Sequence, residues 1–61
     1  MDAVQIQSEL DNLAVQLTDQ EHLFELSLND SDGFEKAKSV FQEIRRLKNR
    51  MDELKEKLHG Y

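Results

Sequence analysis

Apolar residues recur along this chain in alternating steps of three and four. In the second half they fall at Ala37, Val40, Ile44, Leu47, Met51, Leu54, Leu58 and Tyr61. In the first half the same rhythm runs through Ala3, Ile6, Leu10, Leu13, Leu17, Gln20 and Phe24, with Gln20 its one polar member. A repeat of about 3.5 residues draws one narrow stripe down a helix, the seam along which two helices pack. The pattern predicts one helix over 2–28 and another over 33–59, joined by a turn at 29–33.

The punctuation agrees with this division. There is no Pro, and the two Gly stand at 33 and 60. Asp2 is placed to cap the first helix, with Gln5 three residues on as its reciprocal partner. Asp32 is placed to cap the second, with Glu35 at the third helical position. Gly60 is placed to end the second helix, where Lys55 and Lys57 suit the negative helix terminus. Thr18-Asp19-Gln20-Glu21 also matches a capping box, but the heptad runs through it without Gly or Pro, so one continuous helix is expected. A short connection makes neighbouring helices antiparallel. The expected fold class is all-α: an antiparallel two-helix hairpin, one domain over 1–61, dimerising into a four-helix bundle.

The dimer enters through the residues flanking the seam. With the stripe taken as heptad positions a and d, the e and g flanks of the first helix are Asp2, Gln7, Glu9, Ala14, Gln16, Glu21, Leu23 and Leu28. Those of the second are Phe34, Lys36, Phe41, Glu43, Lys48, Arg50, Lys55 and Lys57. Antiparallel packing brings Asp2 and Glu9 near Arg50, Lys55 and Lys57, where opposite charges set orientation more than stability. Towards the turn the flanks become apolar. Ala14, Leu23, Phe24, Leu28, Phe34, Phe41, Ile44 and Leu47 make a face wider than one facing helix covers, which a soluble chain avoids unless the face binds something. A second copy is the expected occupant and another helical protein the alternative.

Size and charge narrow the rest. Sixty-one residues bury a small fraction of their surface and gain from a partner. Without Cys there is no disulfide and no thiolate chemistry. No run is apolar enough to span a bilayer, and Met1-Asp2-Ala3-Val4 has neither the basic start of a signal peptide nor the Gly of a myristoylation site, so a cytoplasmic protein without a membrane partner is expected. The net charge of −5 is unevenly spread, because residues 1–33 hold eight acids and no Lys or Arg while 34–61 hold all eight bases and five acids. Such asymmetry implies that the halves attract each other or meet different partners.

Candidate chemistry is thin, and no cofactor, metal or catalytic residue is expected. Asn29-Asp30-Ser31-Asp32-Gly33 hints at a calcium loop, but with Gly33 at its sixth position the first and twelfth fall on Leu28 and Ser39, which cannot serve. His22, flanked by Asp19 and Glu25, lies opposite the seam with no second cluster to complete a metal site. Arg45, Arg46, Lys48 and Arg50 are the one basic cluster and the alternative site, for nucleic acid. They occupy four different heptad positions in a chain of pI ≈ 4.8, which disfavours that partner.

In heptad rhythm and length the chain resembles the plasmid copy-number hairpins of the Rop family, which dimerise; the likeness is architectural and carries over no residue. The run Ser8-Glu9-Leu10-Asp11-Asn12-Leu13 is similar to the motif of small sporulation phosphatases that act on aspartyl-phosphate regulators. Their Asp stands four residues after the Ser, on the second helix. Here that position is Asn12, on the first, so no such activity is implied. The expected function is a small, non-enzymatic protein–protein interaction module acting through self-association and helix faces.

Overall fold

A computed structural model describes residues 2–60, and within them the chain is an all-α hairpin. Helix α1 spans Ala3–Leu28 and helix α2 spans Gly33–His59. They lie side by side in a rod of 47 × 15 × 13 Å. Both helices match the predicted bounds to within one residue. Among the described residues no helix is long and apolar enough to cross a membrane.

The predicted stripe is the buried stripe. Ile6, Leu10, Leu13, Ala37, Ile44, Leu47 and Leu54 are buried. Ala3, Leu17, Gln20, Phe24, Val40, Met51 and Leu58 are partly buried. Position 61 of the seam lies outside the described residues. Ile6, Leu47 and Leu54 are the largest side chains wholly removed from water, and with Leu10 and Leu13 they form one cluster against which Leu17, Met51 and Leu58 pack. Full burial of such a side chain contributes about 1.5–3 kcal/mol. That cluster occupies the half of the rod away from the turn.

Near the turn the seam is built differently. Its buried members are Ser27, Gly33 and Ala37, all small. Small seam residues let two backbones approach, and here the approach is close. A Cβ built on Gly33 would lie 1.8 Å from the Ser27 carbonyl oxygen and 2.9 Å from its carbon. The requirement for glycine is therefore steric, since no residue described has a positive φ. Ser27 settles its hydroxyl in this dry place by donating to the Leu23 carbonyl at 2.8 Å. The turn closes through backbone bonds: Asn29 N–H donates to Leu26 O, Asp30 N–H to Ser27 O and Gly33 N–H to Asp30 O.

The helix ends follow expectation in part. Asp2 caps α1 from extended backbone, its carboxylate accepting from Gln5 N–H at 2.8 Å. Thr18 does not restart the helix. It donates to the Ala14 carbonyl at 3.0 Å, the back-bonding that a hydroxyl inside a helix adopts. The Asp32 cap, by contrast, does not form. Asp32 sits at φ −98, ψ 20, away from the extended backbone that N-caps favour, and its side chain makes no cap bond. The Gly33–Asp30 turn tightens the entry to α2 and forces this backbone. Gly60 ends α2 with φ −75, so its left-handed freedom is unused.

Replacing Gly33 by Ala should cost about 1–3 kcal/mol of stability, the range for an over-packed contact that backbone must yield to. Urea unfolding checks it. Gly60→Ala is the control, because there the new Cβ comes no nearer than 3.3 Å from Lys57 O and 3.8 Å from Glu56 O, at the end of a helix.

Candidate protein-interaction surface

In an antiparallel pair the e positions of one helix flank the e positions of the other, and g flanks g. The hairpin accordingly has two unlike sides. On the g side, Arg50 reaches across from α2 and donates to Glu9 of α1 at 3.1 and 3.3 Å, and it also bonds Glu53. These two acids hold the Arg50 guanidinium above its ordinary pKa, Glu9 contributing most. Arg46 pairs with Glu43 on the neighbouring surface of α2, and Lys36 pairs with Asp30 across the turn at 3.0 Å. Of the cross-helix pairs expected at the open end, Glu9–Arg50 forms. Asp2 serves as a cap instead, and Lys55 stands on the other side.

The e side carries the oily surface. A shallow groove of about 330 Å³ runs along it, lined by Glu21, Phe24, Glu25, Leu28, Phe41, Ile44 and Lys48. Phe24 and Phe41 meet edge to face across the two helices, ring centres 6.2 Å apart and planes at 68°. That geometry suits the ring quadrupoles. A second hollow, of about 250 Å³, continues the groove past Lys48 to Leu17, Met51, Asp52 and Lys55. Phe34 shares the e position of Phe41. Leu28 is 66%, Phe34 79% and Phe41 50% exposed.

The residues predicted for the partner face thus separate. Phe24, Leu28 and Phe41 come together on the e side, with Phe34 and Ala14 at e positions of the same flank. Leu23 lies across the seam, in a groove of about 440 Å³ with Ser27, Glu35, Lys36, Ser39 and Val40. Ile44 and Leu47 are buried in the hairpin's own seam, Leu47 to 1% exposure. Leu17, Met51 and Lys55 border the e side and were not assigned to it from the sequence. Reading e and g separately, with a positions leaning towards e, would have found them.

The basic cluster also divides. Arg45 and Lys48 belong to the e side, while Arg46 and Arg50 are engaged by Glu43, Glu9 and Glu53. The four do not share one surface. The described residues bring no three His, Asp or Glu side chains together where a metal could bind. His22 is exposed on the outer face of α1.

Comparison with known proteins adds no relative: no family model matches the chain, and no curated protein or solved structure is similar to it at a significant level.

The charge pairs set an acid limit. The Lys36 ammonium, by hydrogen bond and by charge, holds the Asp30 carboxyl below the usual carboxylate range, and Arg46 does the same for Glu43. A depressed carboxyl contributes stability that is complete above the ordinary carboxylate range and is lost as pH falls through the depressed value. Both pairs are exposed, so each contribution is small. Thermal unfolding followed from pH 7 down to pH 2 should therefore show a shallower acid decline in Asp30→Asn with Glu43→Gln than in the parent chain.

Proposed function

We propose that this hairpin is a non-enzymatic protein–protein interaction module that works through its e side and associates with itself. The observation that carries the reading is the run of Leu28, Phe34 and Phe41 left half or more exposed on one flank of a rod only two helices thick. Large side chains of this kind each release about 1.5–3 kcal/mol when they leave water. On a chain this small, that is a large share of the total stability. Another helical protein could use the same face. Self-association is preferred because the flank carries its own complementary charge.

A nucleic-acid partner is less well supported. Arg46 and Arg50 are occupied by acids of the same molecule, and what remains is two cations on a face shared with exposed aromatics and Glu21. Enzymatic chemistry has no support from the groove, whose polar residues are one ammonium and two carboxylates spread along an open surface.

Sedimentation should report a species heavier than the 7.2 kDa chain. Phe41→Glu places a carboxylate in the middle of the apolar flank and should return the protein to that mass. Leu23→Glu, on the opposite side, should leave the assembly intact. A parent chain that sediments as a single copy at micromolar concentration would refute the reading.

A further inference from the structure

The outward edge of the e side, positions e and b together, is charged in opposite senses on the two helices. On α1 it holds Asp11, Glu21 and Glu25 and no Lys or Arg. On α2 it holds Lys38, Arg45, Lys48 and Lys55 against the single acid Asp52. Among the described residues none of these eight side chains makes an ion pair within the hairpin, whereas the g side pairs its Arg50 with Glu9 and Glu53. The unmatched charges lie beside the one surface with exposed aromatics.

Two copies joined by their e sides can obey a two-fold axis in two ways. An axis perpendicular to the rods sets the turns at opposite ends. It lays α1 on the α1 of the other copy and α2 on its α2, so acid meets acid and base meets base. An axis along the rods sets the turns side by side and lays α1 of each copy on α2 of the other. Only the second arrangement matches opposite charges. It also brings the two oily turn ends together, where the first would press Leu28 and Phe34 against the polar open end of the neighbour.

Resting on the self-association proposed above, we infer that the partner of the e side is a second copy of this chain, aligned in parallel with turn beside turn. The register within the hairpin fixes the neighbours. Glu9 pairs with Arg50 and Ser27 abuts Gly33, so residues at one height sum to about sixty. In the parallel dimer, Glu21 and Glu25 then bracket Lys38 of the second copy, Asp11 stands beside its Lys48, and Leu28 covers its Phe34. A two-fold axis makes each contact twice.

The chain has no native thiol, so Ser31→Cys in the exposed turn accepts a single spin label per copy. Axes packed 8–10 Å apart should bring the two labels within about 25 Å, label arms included. Turns at opposite ends would separate them by nearly the 47 Å length of the rod. A short distance supports the parallel dimer, and any longer one overturns it. Sedimentation of the same labelled sample keeps the two failures apart: a dimer with a long distance overturns the alignment alone, and a single-copy species overturns self-association as well. Charge reversal gives a second reading. Lys38→Glu should weaken the dimer about tenfold at low salt, and adding Glu21→Lys with Glu25→Lys should restore it. A dimer indifferent to Lys38→Glu would overturn the inference.

Discussion

The contact between the Gly33 backbone and the Ser27 carbonyl governs the turn half of this molecule. Because no Cβ fits there, the start of α2 is drawn against the last turn of α1. Ala37 and Ser27 keep the seam thin for the next turn of each helix. A thin seam leaves little room for bulky side chains between the helices beside the turn. Leu28, Phe34 and Phe41 of this half therefore lie beside the seam, half or more exposed. The same local economy that permits a short connection creates the oily flank.

Charge then decides what that flank suits. The g side satisfies itself, with Arg50 held by an acid from each helix. The e side keeps its acids on α1 and its bases on α2, and among the described residues none of them pairs within the molecule. Opposite charges that stay unpaired internally but would meet across a two-fold axis are a form of specificity. They disfavour the head-to-tail alternative by repulsion rather than favouring one arrangement by contact alone. Exposed pairs of this kind add little stability, so in the proposed dimer the aromatics supply cohesion and the charges supply alignment.

Much of the fold could be read directly from residue spacing. Fourteen described seam positions were named from the three–four rhythm, and none of them is fully exposed, because burial of one stripe is a property of the heptad itself. The Asp2 cap was legible for a similar reason: it depends on the four residues 2–5 and on nothing distant. The Asp32 cap failed because the tight turn that bonds Gly33 N–H to Asp30 O, held where Gly33 meets Ser27, sets its backbone, and local sequence does not display that packing. The sidedness of the surface was hidden by pooling e with g. Arg45, Arg46, Lys48 and Arg50 looked like one cluster in sequence, yet helical rotation gives two to each side. Leu23 was grouped with Phe24 and Phe41 for the same reason, although the seam separates it from them.

The two halves of the rod also differ in what holds them. Ile6, Leu47 and Leu54, the side chains lost most completely to water, all lie in the half away from the turn. Beside the turn the buried seam residues are all small, and a single edge-to-face pair, Phe24 with Phe41, bridges the helices there. A helix gains most of its stability from packing rather than from intrinsic propensity, so the turn half is the weaker of the two on its own. Covering Leu28, Phe34 and Phe41 would add burial where the hairpin lacks it. Association and completion of the fold are then one event, and stability in the proposed dimer becomes a function of concentration. The open-end core would keep a single copy hairpin-like before it meets another, with its turn end ready as the docking surface.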